Sequence, residues 1–240
     1  MFQLPDRYRV DVKATLKDII PEGLKLNDKK RIQDTIKSVK LQYQIAGEEI
    51  PSVIDERYRC QVIQFYDMEI KNIRDANFLA SIYQNFIKPL CIIRFHDANF
   101  EAYSYALKRL NQTDNMQIVI EQSFITGKFM IGVPDSSRDR LQKYMDYLQV
   151  KNKNDKLNLY REWFYKAYML EHEKAYADTE KILDGNFWYD SDRSAQIYSR
   201  YAELVTLRDR LKSAVTNADR MRFNKELKKT ITELSESVNI

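Results

Sequence analysis

The sequence predicts an α+β fold in which a mostly antiparallel sheet with helices on one face is followed by a long antiparallel helical hairpin. Apolar runs rich in β-branched and aromatic residues recur between residues 60 and 130, separated by short turn signals, which is typical of strands. Beyond Arg138 the chain has no proline and a single glycine, Gly185, and its apolar residues recur at helical spacings. This change predicts a sheet domain at residues 1–135 and a helical domain at residues 136–240.

The first predicted helix follows an extended N-terminal segment. It spans Leu26–Ile45, because Ile32, Ile36, Val39 and Tyr43 form one apolar stripe at spacings of four, three and four residues. Polar residues directly after the first leucine can accept hydrogen bonds from the free backbone N–H groups of the first turn.

Five strand segments are predicted after this helix. They are, in chain order, Gln61–Lys71, Leu90–Phe95, Phe100–Leu107, Met116–Thr126 and the short run FMIGV at residues 129–133. The second of these is apolar almost throughout, which indicates a central strand buried on both faces. Between the first two strands, Asp75–Ile87 is expected to form a short helix, because Phe78, Ile82 and Phe86 recur at a spacing of four.

The second domain is predicted to contain one short helix and two long helical segments. The run DRLQKYMDYLQ, residues 139–149, forms the short helix. Leu157–Leu183 is expected to be one long helix, and Ser194–Ser235 another helix or a pair of helices, with the seven-residue turn DGNFWYD between them. Two long helices joined by a turn this short predict an antiparallel hairpin with coiled-coil-like packing.

The composition places the chain among globular proteins and excludes several classes. It has 240 residues, of which 44% are hydrophobic and 31% charged. No apolar run approaches the roughly 20 residues that span a bilayer. The N-terminal run MFQLPDRYRVDVK has no apolar core typical of a secretion signal. Cys60 and Cys91 lie in apolar strands and are expected to be small core residues. We therefore expect a cytoplasmic protein that makes no membrane contact.

One strand carries a pattern that suggests catalysis. In CQVIQFYDMEIK, alternation places Asp67, Glu69 and Lys71 on one strand face, and Glu69 to Lys71 has the E-x-K form of the PD-(D/E)xK nuclease superfamily. However, the same face begins with Ile63 and Phe65, which is typical of a strand that leaves the core toward solvent. We expect no catalytic residue here, and we retain a metal-dependent nuclease using these three residues as the alternative.

The alternative requires a second acid from elsewhere in the chain. Asp55 or Glu56, 13–14 residues before the E-x-K glutamate, could supply it, and Glu48 or Glu49 could supply the acid that this superfamily places on a helix.

Other catalytic and cofactor motifs are absent from the sequence. His96 and His172 lie in no metal-ligand spacing, and the five glycines form no phosphate-binding loop. No serine lies in a G-x-S-x-G context. We expect neither a cofactor nor a metal site.

Two features of the helical domain indicate contact with other molecules. The first is its aromatic content, which favours either packing on several sides or a partner-binding surface at Tyr160, Trp163, Phe187 and Trp188. The second is a basic region: residues 200–229 contain nine basic and four acidic side chains. This region is either a solvated helix face or a phosphate-contacting face. The candidate nucleic-acid-binding residues are Arg208, Arg210, Arg220, Arg222, Lys225, Lys228 and Lys229.

Several segments together resemble the bacterial family catalogued as domain of unknown function 4391. They are YRCQVIQFYDMEIK, FIKPLCIIRF and EAYSYALKR in the sheet domain, FQLPDRYRVDVKATLKDIIPE at the start and RMRFNKELKKTITEL at the end. The chain departs from the family where a strand that usually ends in YK reads YALK, and it lacks the tryptophan that often follows the fourth strand.

The resemblance implies a cellular context rather than a reaction. Genes of this family look to be frequent neighbours of helicases, DNA methyltransferases and restriction-type enzymes in anti-phage loci, and the family offers no catalytic residue. It implies a non-catalytic accessory or adaptor subunit that docks on a larger helicase- or ATPase-like protein and contacts DNA. A self-associating structural protein is a further alternative.

Overall fold

A computed structural model describes residues 2–114 and 117–238, without the side chains of Leu16 and Lys17. The chain forms two compact units, Met1–Phe164 and Tyr165–Ile240. The division lies inside one helix, and the helices directly after residue 135 therefore belong to the unit that contains the sheet. The terminal residues of the two expected domains, 1 and 239–240, lie outside the described residues.

The secondary structure confirms the α+β class. The strands are β1 (Arg9–Ala14), β2 (Ile36–Ile45), β3 (Val53–Ile54), β4 (Arg59–Cys60), β5 (Ile63–Ile70), β6 (Leu90–His96), β7 (Phe100–Leu110), β8 (Ile118–Ile125) and β9 (Phe129–Met130). The helices are α1 (Leu16–Ile19), α2 (Leu26–Thr35), α3 (Ala76–Phe86), α4 (Ser136–Met145), α5 (Lys156–Glu171), α6 (Thr179–Asp184), α7 (Ser191–Ser213) and α8 (Asn217–Val238). The five predicted strands correspond to β5 to β9; Met116, the first residue of the predicted fourth strand, lies outside the described residues.

The main sheet is mostly antiparallel. Its strand order is β1-β2-β5-β6-β7-β8, β9 also pairs with β7, and β3 and β4 form a separate pair. Among the strands of the described residues, the one parallel pair is β5 with β6, where Phe65 lies beside Ile92. The chain returns from the end of β5 to the start of β6 through α3, as a parallel pair requires.

Helices cover both faces of this sheet rather than one. On the first face, Leu79 of α3 packs in one buried cluster with Met68 of β5 and Ile93 of β6. On the second face, the ring of Trp163 in α5 stands edge-on to Phe65, with 5.5 Å between the ring centroids. Both layers bury apolar side chains of the central strands, as the apolar run in β6 predicted.

The predicted helix Leu26–Ile45 is wrong in its second half. Helix α2 ends at Thr35, and Ile36 begins β2, which pairs with β1 on one side and β5 on the other. The stripe used for the helix prediction contains Val39 and Tyr43, which are also compatible with alternation through Leu41 to Ile45. The two neighbouring strands supply hydrogen-bond partners for the backbone of this segment. Such long-range pairing selects a strand where the short apolar pattern is compatible with both the helical and the strand period.

The helices after α4 differ from the predicted ones in their bounds. The expected helix Leu157–Leu183 ends at Glu171, and a 3-10 turn at Glu173–Ala175 separates it from α6. The expected segment Ser194–Ser235 is the pair α7 and α8, joined by three residues.

Helices α7 and α8 form the long antiparallel hairpin. Near the start of α7, Arg193 donates to the Ser237 carbonyl at 2.9 Å, and Arg200 donates to the Glu233 carbonyl at 3.0 Å, both at the end of α8. The hairpin is confirmed, but α7 and α8 form it, rather than the two segments on either side of DGNFWYD. Within the described part of the chain, no helix combines the length and the apolar character needed to cross a membrane.

Candidate functional site

Helix α8 has one buried side and one exposed basic side. Leu227, Thr230 and Leu234 are buried at spacings of three and four, which marks the side that packs inward. Lys225 and Lys228 are exposed and lie on the opposite side of the helix by the same spacing rule. The helix thus holds these two ammonium groups toward solvent.

Two further cations flank these lysines. Arg222 pairs with Asp219 at 2.9 Å, and Lys229 approaches Glu233 at 3.6 Å, in both cases between largely exposed side chains. Such exposed pairs stabilise a protein by only about 0–1 kcal/mol, so they leave both cations available to another anion. Lys225 and Lys228 have no ion-pair partner among the described residues. We call Arg222, Lys225, Lys228 and Lys229 the basic face.

The other three predicted basic residues lie elsewhere. Arg208 is half-buried, and its Nε donates to the carbonyl of Ala175 at 2.5 Å, which gives it a structural role. Arg220 donates from Nε to the carbonyl of Ala214 at 3.1 Å and so closes the turn between the two helices. Arg210 is exposed in the last turn of α7.

The four aromatic residues predicted to bind a partner are buried in the core, which corrects that prediction. Tyr160 and Trp163 are fully buried. The Tyr160 hydroxyl donates to the carbonyl of Cys91 at 2.9 Å, and it accepts from the Ala106 N–H at 3.1 Å. The Trp163 indole donates to the carbonyl of Met145 at 3.0 Å. The hydroxyl of Tyr160 and the indole N–H of Trp163 both have hydrogen-bond partners inside the unit, as is usual for buried tyrosine and tryptophan.

Phe187 and Trp188 are buried as well, in the second unit. The Trp188 indole N–H is shared between the carbonyls of Ile182 and Leu183 at 3.0 and 3.1 Å. The large apolar side chains with the greatest exposure among the described residues are instead Val215, at 90%, and Met221, at 74%. Val215 lies in the turn between α7 and α8 and Met221 near the start of α8, and the sequence pattern did not distinguish them from core residues.

The three residues of the nuclease alternative have different surroundings. Asp67 lies between Arg94, at 2.9 Å, and the His96 Nε2, at 3.5 Å. Burial by itself would raise the pKa of the Asp67 carboxyl, but the hydrogen bond with His96 and the charge of Arg94 outweigh it and lower the pKa below its ordinary value. Glu69 is 41% exposed and pairs with Lys37 at 3.1 Å. Lys71 is exposed just beyond the end of β5.

A buried carboxylate extends the ion pairs around Asp67. Glu101 of β7 is only 1% exposed, and its two oxygens lie 2.6 Å from the Nε atoms of Arg94 and Arg138. The network therefore joins β5, β6, β7 and α4. The sequence did not indicate it, because its members are separated by up to 71 positions between Asp67 and Arg138.

Two of the four acids proposed upstream of the E-x-K motif, Asp55 and Glu49, are engaged elsewhere. Asp55 accepts from the backbone N–H groups of Arg57 and Tyr58 in the turn between β3 and β4, and Glu49 pairs with Arg7 at 2.9 Å. Over residues 2–114 and 117–238, no group of three or more His, Cys, Asp or Glu side chains is placed to hold a metal ion.

A comparison with protein families matches the model described as domain of unknown function (DUF4391) to residues 2–234. The chain belongs to this family. No curated protein and no solved structure matches the chain. The DUF4391 match extends over residues of both compact units, from before β1 into the last turns of α8. The family description names no activity for this DUF4391 protein.

Proposed function

We propose that the chain is a non-catalytic accessory or adaptor subunit of a cytoplasmic, DNA-acting complex in a bacterial anti-phage or restriction system. In this proposal it docks on a larger helicase- or ATPase-like protein, or accompanies a methyltransferase, and its basic face contacts nucleic acid. The observation that supports the proposal is the composition of α8 between Met221 and Lys229, where four cations and one acid occur on an exposed stretch of helix.

The basic face has the chemistry of a phosphate-contacting surface. Its four cations lie within about 11 Å along the helix, given a rise of about 1.5 Å per residue. Lysine and arginine contacts to phosphates release condensed counterions, so the affinity falls with salt and depends little on base sequence. A helix presenting such a face suits an accessory subunit, which needs to stay on DNA without selecting a site.

Charge reversal on the basic face tests this function without disturbing the core. We expect Lys225→Glu with Lys228→Glu to weaken binding of labelled single-stranded and duplex DNA, measured by fluorescence anisotropy over a salt series. Two lost contacts lower the slope of log K against log salt by about 1.4 for single strands and about 1.8 for duplex. Deleting residues from Ser194 onward is a poorer test, because it removes the buried Tyr201, whose hydroxyl contacts Thr179.

A matched variant provides the control. Lys30→Glu with Lys174→Glu makes the same change in net charge at exposed lysines outside α8. It should bind DNA as the unchanged protein does. Equal loss in both variants would indicate an effect of net charge alone, and no loss in either would contradict a role for the basic face. Sedimentation velocity with each protein tests the alternative of self-association.

A metal-dependent nuclease is the second candidate. It is favoured by the exposure of Glu69 on the face that also carries Asp67, and by the position of His96 directly beside Glu69 in the parallel register. The test is cleavage of plasmid and single-stranded DNA with Mg²⁺ or Mn²⁺. Cleavage that is lost in Glu69→Gln and retained in Glu180→Gln, an exposed control, would establish the nuclease and overturn the non-catalytic proposal.

A further inference from the structure

A small pocket lies at the end of the sheet where β6 begins and β7 ends. Its apolar walls are Leu90, Leu110, Ile118 and Leu157, and Tyr58 forms part of its rim. The remaining lining includes Arg59, Lys88, Lys108 and Arg109. Four of the ten described lining residues are therefore cationic, and none of those ten is acidic.

Lys108 is a buried cation without a carboxylate partner among the described residues. The residue is 5% exposed, and its Nζ donates to the carbonyls of Ile87 and Pro89 at 2.6 and 3.0 Å and approaches the Cys91 sulfur at 3.5 Å. These acceptors carry no full charge, and burial lowers the pKa of the Lys108 ammonium. Neutral acceptors thus use all three donors of this ammonium, and what it contributes to the pocket is a positive field that no carboxylate among its contacts cancels.

The cations at the rim add to the excess of positive charge at the pocket. Arg59 and Lys88 are exposed and have no ion-pair partner among the described residues. Arg109 has one acid, Glu121, at 3.4 Å, and it shares that acid with Arg57 at 2.5 Å. The Glu121 carboxylate is thus already divided between two guanidinium groups.

We infer that this pocket binds a phosphate monoester. A phosphate group offers close to two negative charges and three acceptor oxygens, which suit the exposed guanidinium of Arg59 and the exposed ammonium of Lys88. The pocket, at about 20 Å³, is too small to enclose the organic part of the ester, which would extend outward over the Tyr58 ring at the rim. The pocket consists only of residues from the unit Met1–Phe164, so this inference is independent of the basic face on α8.

The same chemistry is present in a free nucleotide and in the 5′-terminal phosphate of a DNA strand. Both are tested on protein carrying Lys225→Glu and Lys228→Glu, so that DNA contact by the basic face does not contribute. The probes are inorganic phosphate, adenosine 5′-monophosphate, and one oligonucleotide with either a 5′-phosphate or a 5′-hydroxyl. Binding is measured by calorimetry at constant ionic strength, because screening alone changes the affinity of any anion.

We expect saturable binding of adenosine 5′-monophosphate or of the 5′-phosphorylated oligonucleotide, and Arg59→Gln with Lys88→Gln should weaken it about tenfold or more. Arg74→Gln with Lys30→Gln, which neutralises two other exposed cations, should bind as the parent does. If the protein binds the 5′-phosphorylated oligonucleotide more tightly than the 5′-hydroxyl one, the site exists and its ligand is the end of a DNA strand. If it binds adenosine 5′-monophosphate but neither oligonucleotide, the site exists and its ligand is a free phosphate ester.

Two results would overturn the inference. One is the absence of saturable binding of any phosphate monoester by the parent protein. The other is equal binding by the pocket variant and the parent, with both variants folded by circular dichroism. Either result leaves the proposed role of the basic face intact, because that role is measured on protein that carries the α8 lysines.

Discussion

Replacement of Glu101 by glutamine tests whether the buried ion-pair network holds the sheet unit together. Glutamine keeps the size of the side chain and one acceptor oxygen, but it removes the negative charge between Arg94 and Arg138. The two contacts that lose their charge are 2.6 Å long, and the carboxylate itself is 1% exposed. The substitution therefore removes the charge that both guanidinium groups share.

The expected loss of stability follows from the exposure of the two partners. Removing one partner of a fully buried ion pair costs about 3–5 kcal/mol. The side chains of Arg94 and Arg138 are 24% and 23% exposed, so water solvates them in part, and Arg94 keeps its contact with Asp67 at 2.9 Å. We therefore expect a decrease of about 2–3 kcal/mol in the free energy of unfolding, corresponding to a urea midpoint lower by about 1 M.

The assay is urea unfolding of the sheet unit, followed by circular dichroism and tryptophan fluorescence. Trp163 lies against Phe65 and reports on this unit, whereas Trp188 reports on the second one, so two transitions are fitted. The matched control is Glu69→Gln, the same chemical change in an exposed pair, which should alter stability by no more than about 0.5 kcal/mol.

Two results would refute this reasoning. If Glu101→Gln costs no more than Glu69→Gln, the two arginines do not depend on the buried charge. If both substitutions lower the free energy of unfolding by several kcal/mol, Glu69 contributes more to stability than its exposed ion pair with Lys37 predicts. The expected difference in stability between buried and exposed ion pairs is then wrong.

Three further outcomes are expected. The lowered pKa of Asp67 stabilises the fold above the ordinary titration range of an aspartate near pH 4, and this contribution is lost as pH falls through the lower folded-state pKa. The stability difference between the native protein and Asp67→Asn, measured by urea unfolding, should therefore shrink as the pH falls below about 4, and a difference that does not change in acid would contradict this. Burial raises the pKa of the Cys60 thiol to about 12, and Cys91 is also buried, so a thiol reagent at pH 8 should label neither residue until urea unfolds the protein; rapid native labelling would contradict this. Tyr160→Phe removes one donor and one acceptor in the core and should cost about 1–3 kcal/mol in urea unfolding, whereas an unchanged midpoint would show that these bonds contribute little.

The residues predicted to be functional differ in whether a local sequence pattern identifies their position in the structure. The cations of α8 were identifiable from the sequence, because a helical period places Lys225 and Lys228 together on a side away from Leu227. The location of the aromatic residues was not identifiable in this way, because the sequence around Tyr160 and Trp163 is the same whether these side chains bind a partner or pack in the core. Burial decided between these two interpretations.

The sequence by itself determined the α+β class, the strands from β5 to β9 and the existence of a helical second half, because each follows from a local period and from turn residues. Only the tertiary structure decided that Ile36 begins a strand, since pairing with both β1 and β5 satisfies that backbone. The tertiary structure also brings Asp67, Glu101 and Arg138 into one ion-pair network, and it places four cationic residues, Lys108 among them, in the lining of one pocket. These arrangements join side chains from distant parts of the chain, and a local pattern does not record which distant residues the fold brings together.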